Sequence, residues 1–178
     1  LHSTLETKEI EDEEKYVRIL DLVKKLNRAL ASKVQELARF RSEFFGKLQE
    51  VLKNRKDIRI VGDRFVFQSE VLFASGAAEI GITGKKELIK LANTLNKITP
   101  KIPKNIDWIL QVEGHTDHIP IYNAKFQSNW DLSSARAISV VEFLIKKGVK
   151  PGRLSAAGFG EFQPLDNRRD EISNRRNR

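Results

Sequence analysis

The chain has 178 residues, 40% of them apolar and 31% charged, with a formal net charge of +8. This is enough for one packed core with an appended element, and it excludes wholesale disorder. No window reaches the roughly 20 consecutive apolar residues of a membrane-spanning helix, and the absence of cysteine excludes disulfides and thiolate metal sites.

The basic balance invites a polyanionic partner, either nucleic acid or an anionic envelope polymer, and charge alone does not choose between them. Methionine is absent as well. Leu1 is therefore not expected to be the translation start, and the chain is expected to be a fragment or a processed product.

The first stretch is acidic (Glu6, Glu9, Glu11, Asp12, Glu13, Glu14), and it contains no glycine before Gly46 and no proline before Pro100. Such a run favours one long helix. Its apolar residues recur every seven positions at Tyr16, Val23, Leu30, Leu37, Phe44 and Val51, with Leu20, Val34 and Leu48 in a second seam. That is a heptad pattern. Asn27 and Arg41 also fall in the second seam, and a seam Asn fixes register and a two-stranded state. A parallel homodimer is the favoured expectation. The alternative is an ordinary amphipathic helix packed on the chain's own globular domain.

A polar segment, Asn54 to Asp57, ends the helical pattern, and residues 1–53 are read as the stalk. From Ile58 the period shortens to that of a hairpin: Ile58 and Ile60, then Gly62-Asp63, then Phe65 and Phe67. An amphipathic helix is predicted over about 85–98, with Leu88, Leu91 and Leu95 on one face and Pro100 and Pro103 beyond its end. A buried strand over 108–112, a helix over 132–147 closed by Gly148, and a strand over 154–159 follow. The order of the globular part, 58–178, is β-α-β-α-β. The last stretch, 166–178, is polar and arginine-rich and shows no apolar element.

Three segments concentrate polar residues at the ends of these elements. The first is Gly114-His115-Thr116-Asp117. The second is Asn129-Trp130-Asp131-Leu132-Ser133-Ser134-Ala135-Arg136-Ala137, and the third is Gly158-Phe159-Gly160-Glu161 with Pro164, Asn167 and finally Asn177-Arg178. In this order they resemble the OmpA-like peptidoglycan-binding family over about 58–178. The insert between Asp117 and Asn129, with Ile119-Pro120-Ile121, resembles the MotB-type flagellar-stator branch.

The resemblance implies an α+β sandwich with a mixed sheet and helices on one face, here preceded by the coiled-coil helix. It also implies one more strand than the chain holds after Arg178, and Asn174 stands where relatives commonly have Arg or another residue. It further implies a non-catalytic, cofactor-free module of the periplasm that binds peptidoglycan. The module would be tethered to the inner membrane through a segment absent from this chain, with an inner-membrane stator partner.

The ligand that the resemblance implies is the diaminopimelate of the stem peptide, whose side-chain end carries an ammonium and a carboxylate. By residue-wise carry-over, Asp117 accepts from the ammonium and Arg136 grips the carboxylate with its planar fork, which Lys does not provide. Asn129 and Thr116 supply hydrogen bonds, Leu132 an apolar wall, and Arg178 a second positive contact. Helix N-terminal amides beside Asp117 and Arg136 are expected to favour the carboxylate.

Other readings of these residues are weaker. His115 and His118 flank Asp117, but no third or fourth metal ligand is signalled, and His115 reads as a packed residue that orders the loop. The carboxylates Asp107, Glu113, Asp117, Asp131 and Glu161 form no spaced pair of the kind a glycosidase needs. Ser133 and Ser134 lack a nucleophile-elbow frame, so helix capping by one of them is the better reading. The lysines from Lys85 to Lys104 have no aromatic ladder between them, which argues against nucleic acid. Two further hypotheses are a coiled-coil interaction protein with the globular part as a spacer, and a wall-modifying enzyme.

Overall fold

A computed structural model describes residues 2–52, 58–62, 64–164, 166–168 and 170–177 of the chain. The chain divides into two compact units, Leu1–Glu43 and Phe44–Arg178.

Helix α1 runs from His2 to Leu52. In the first unit its surface is laced by ion pairs one turn apart, among them Asp21–Lys25 at 2.7 Å and Lys33–Glu36 at 2.9 Å. Such exposed pairs contribute only about 0.3–0.5 kcal/mol each. The seam residues Tyr16, Leu20, Val23, Leu30, Val34 and Leu37 are between 42% and 64% exposed. The last turns of α1 belong to the second unit. There the Phe44 ring lies 5.8 Å from that of Trp108, and Phe45 stacks on Phe65 at 4.5 Å.

In the second unit, strands β1 (Ile58–Val61) and β2 (Arg64–Phe67) form an antiparallel hairpin with Ile58 opposite Phe67 and Val61 opposite Arg64. Gly62 supplies the positive φ (62°) that so tight a reversal needs. A single-turn helix α2 (Ser69–Leu72) leads to α3 (Ile82–Ile98), which starts three residues earlier than its apolar period indicates. Gly84, in its first turn, lies where a Cβ would meet the Leu72 Cα at 2.8 Å, so a side chain here would push α3 off α2.

Strand β3 (Leu110–Gly114) pairs in parallel with β4 (Leu154–Gly158), from Leu110 opposite Leu154 to Gly114 opposite Gly158. Helix α4 (Asn129–Lys146) makes the crossover between them. Both strand orientations are thus present, in two separate two-stranded sheets among the described residues. Helix α5 (Glu171–Asn177) closes the described chain.

The core lies where α3 meets α4. Leu88, Leu91, Ala92, Leu95 and Ile98 of α3 cluster with Val140, Leu144 and Val149, and Phe65, Phe67, Leu110, Val112 and Leu154 pack against them. Leu88, Leu95 and Leu144 are at most 1% exposed, and burial of each contributes about 1.5–3 kcal/mol. The face of α3 read from Leu88, Leu91 and Leu95 is the buried one.

Helix α5 was not visible as a helix in the sequence because it buries polar residues. Ser173, Asn174 and Asn177 are buried. Asp170 takes the Ser173 N–H at 2.7 Å as a helix cap does, and Asn177 both donates to the Asp166 carbonyl (2.7 Å) and accepts the Asp166 N–H (2.9 Å). No apolar period marks such a segment.

Candidate functional site

The site begins with two glycines. Gly114 and Gly158 end the paired strands side by side, and the first turns of α4 lie directly against them. A Cβ on Gly114 would fall 2.0 Å from the Ser133 carbonyl oxygen, and one on Gly158 would fall 2.2 Å from the Ser134 Oγ and 2.6 Å from its nitrogen. Only glycine admits that approach. Strand β3 runs two residues further than its apolar period indicates, so the Gly-His-Thr-Asp motif emerges straight from the strand end beside the opening of α4.

Serines hold the opening in place. Ser128 caps α4 by accepting the Asp131 N–H at 3.2 Å, and Asp131 returns a bond by accepting the Gln127 N–H at 3.1 Å. The capping expected of Ser133 or Ser134 therefore belongs to Ser128, because the helix starts at Asn129 rather than Leu132. Ser133, fully buried, instead donates to the Trp130 carbonyl at 3.1 Å and accepts the Gly160 N–H at 3.0 Å, tying the loop after β4 to α4. One of the helix amides expected to face a ligand carboxylate, that of Asp131, is thus occupied by the cap.

Thr116, Asp117 and Asn129 come together here. All three are buried. Thr116 is fixed by its N–H to the Gly160 carbonyl (2.9 Å) and by its Oγ1 donating to the Asp117 carbonyl (2.9 Å). Asn129 Nδ2 donates to the carbonyls of Asp117 (3.4 Å) and Ile119 (3.1 Å), while Asp117 Oδ1 accepts the Ile119 N–H at 3.1 Å. The loop is clamped at both ends, and the acid is held rigidly at its turn.

Leu132 and Arg136 lie on the same buried face of α4 as Asn129, one and two turns further along. Leu132 is 4% exposed. Arg136 has partners that its sequence position did not reveal. Its Nε donates to the Ala77 carbonyl at 2.9 Å and its Nη2 to the Ala74 carbonyl at 3.4 Å, and its guanidinium stands 5.1 Å from the Phe73 ring centroid. It thereby ties α4 to the turn that precedes α3. Arg178 lies outside the described residues.

His115 stacks on Phe159 at 5.3 Å and has its Nε2 3.6 Å from Glu113 Oε2, which also meets Arg64 at 3.3 Å. Burial holds this imidazole below the ordinary histidine value of 6.5, against the opposing pull of Glu113. It packs within the loop base. His118 is exposed.

The OmpA family model matches residues 72–178, more than half of the chain. The chain belongs to the OmpA family. The match spans everything from the end of α2 onward, including both glycines of the seam, the clamped loop and α4. Among relatives, the chain is 34% identical over 113 residues to motility protein B of Bacillus subtilis, covering 62% of this chain and 40% of that protein. The chain spans between about a quarter and two fifths of the length of the curated relatives it matches.

Among solved structures, a MotB-like protein from Desulfovibrio vulgaris superposes with a TM-score of 0.70 at 25% identity, over 81% of this chain and 90% of that one. The cell wall anchor of the T6SS from Pseudomonas aeruginosa gives 0.63 at 26% identity, over 74% and 91%. The OmpA-family fold is shared with these neighbours, and its MotB-type character with motility protein B and the MotB-like structure.

Proposed function

We propose that the chain binds peptidoglycan without turning it over, through the diaminopimelate of the stem peptide, and anchors a membrane-tethered, stator-like complex to the cell wall from the periplasm. The observation that carries this reading is the gathering of Thr116, Asp117 and Asn129 at the glycine seam, with Arg136 buried two turns along the same helix face. Asp117 answers the ligand's ammonium and Arg136 its carboxylate, with Leu132 as the apolar wall. Arg178 is carried along as a second cation by the family resemblance alone. Membership of the OmpA family, and likeness to the cell wall anchor of the T6SS, support the same reading.

Charge-assisted bonds contribute about 1.5–3 kcal/mol each where shielded, so one domain alone binds weakly. The exposed heptad face of α1 supports a parallel dimer, and two linked domains on a repetitive polymer gain avidity from effective concentration.

Cosedimentation with sacculi tests the site. Asp117→Asn and Arg136→Lys keep size and, for the second, charge, and each is expected to leave the chain in the supernatant while circular dichroism shows it folded. Retention of both variants on sacculi sinks the assignment. The same exposed face favours a second reading, a coiled-coil recruiting module in which the globular part is a spacer. That reading requires dimers indifferent to peptidoglycan.

A further inference from the structure

Beside the clamped loop lies a depression of about 200 Å³ whose lining includes Pro120, Ile121, Gln127, Asn129, Trp130 and Phe162. Trp130 and Phe162 stack there with ring centroids 5.3 Å apart and planes 24° from parallel. They remain 49% and 61% exposed. Neither ring fills the core, although each could contribute burial energy there.

The stack is built by the fold. Trp130 sits in the first turn of α4, seated on the glycine seam. Phe162 is delivered by the turn at Gly160, whose φ of 55° only glycine adopts readily, and whose N–H is held by Ser133. Ile121 projects from the clamped loop toward Gly76. Three separately fixed segments therefore converge on one apolar platform with an amide (Gln127), a hydroxyl (Ser128) and a carboxylate (Glu161) at its rim.

The chemistry of the lining selects a ligand class. Among the described residues the lining holds no cation and one carboxylate, which disfavours phosphates and hence nucleotides and nucleic acid. The rings are nearly parallel, so they offer open faces and do not form the cage of crossed rings that encloses a quaternary ammonium. An aromatic face with hydrogen-bonding groups at its edge suits a neutral pyranose, whose axial C–H groups lie on the ring while its hydroxyl and acetamido groups meet the rim. The volume is below the roughly 300–1,000 Å³ of a drug-sized pocket. It fits one sugar ring in an open groove through which a chain can continue.

We infer that the Trp130–Phe162 stack is a carbohydrate platform that takes one N-acetylhexosamine ring of a β-1,4-linked glycan. The inference rests on the peptidoglycan reading for its choice of glycan. It adds to the stem-peptide site a contact with the sugar strand, and Asn129 lines the depression while clamping the Asp117 loop.

The test is an NMR titration of the full chain with a neutral β-1,4-linked trisaccharide of N-acetylglucosamine, following the two indole N–H signals, with a diaminopimelate stem peptide in a parallel arm. The trisaccharide is expected to shift the Trp130 signal saturably and leave that of Trp108 in place. Phe162→Ala is expected to weaken this binding about tenfold while leaving the stem-peptide affinity unchanged. A Trp130 signal that ignores the trisaccharide, or a Phe162→Ala variant that binds it as tightly as the parent, overturns the platform. Binding of the stem peptide in that case leaves the peptidoglycan reading standing, and trisaccharide binding with no stem-peptide binding does the reverse.

Discussion

The seam of α1 and the inner face of α4 are both written with helical periodicity, yet they are spent differently by the fold. On α1 the apolar seam residues from Tyr16 to Leu37 are about half exposed, and the pairs that decorate the helix are polar and at the surface. On α4 the buried face includes Asn129, Ser133 and Arg136 beside Leu132, Ala137, Val140 and Leu144. An exposed apolar stripe calls for another surface to cover it. Buried polar groups are costly unless each is bonded, so they persist where geometry has to be held. The first helix is thus suited to association and the second to building a site.

The largest effect separating the two regions is expected at Gly114. Gly114→Ala drives a Cβ into the Ser133 carbonyl, which is backbone and cannot swing aside. It should cost about 3 kcal/mol or more in urea unfolding of the globular unit. A loss below 1 kcal/mol would show that α4 can lift off the seam. Leu30→Asp places a charge in the exposed heptad stripe. Sedimentation equilibrium should show the proposed dimer weakened about a hundredfold, with the proposed stem-peptide affinity per site unchanged; an undiminished dimer removes α1 from the interface.

Ser133→Ala removes the bridge between the Trp130 carbonyl and the Gly160 N–H. A loss of about 1–2 kcal/mol is expected, with faster amide exchange at Gly160 as the local readout. The smallest effect is in pH. Because burial lowers the pKa of His115 from 6.5, the unfolded chain binds more protons in that range. This contribution leaves stability undiminished above pH 6.5 and lowers it as pH falls through 6.5 toward the folded value. His115→Gln should flatten that slope, and an unchanged slope assigns it to other groups.

Much of this was legible in the sequence, for identifiable reasons. The heptads of α1, the leucine face of α3 and the motif pieces around Asp117 and Arg136 carry strong periodic or compositional signals. The start of α4 was misplaced, because the apolar period begins only at Leu132, three residues after the helix opens beyond its Ser128 cap. Gly114 and Gly158 were visible as motif glycines, whereas their purpose depends on a helix that is distant in sequence from one and adjacent in space to both. The same is true of Arg136, whose carbonyl partners at Ala74 and Ala77 lie about sixty residues away. Helix α5 was hidden because it buries Ser173, Asn174 and Asn177, residue types that period-based reading assigns to loops.

We propose that Asp117 and Arg136 read the two charges of diaminopimelate. The most direct test is an NMR titration of the chain with a diaminopimelate-containing stem peptide beside one in which lysine replaces it, following amides around Asp117 and Arg136. Lysine keeps the ammonium and lacks the second carboxylate. Saturable shifts at both residues with the first peptide, and only weak shifts with the second, are the predicted result. Equal shifts with both peptides, or none with either, would contradict the account.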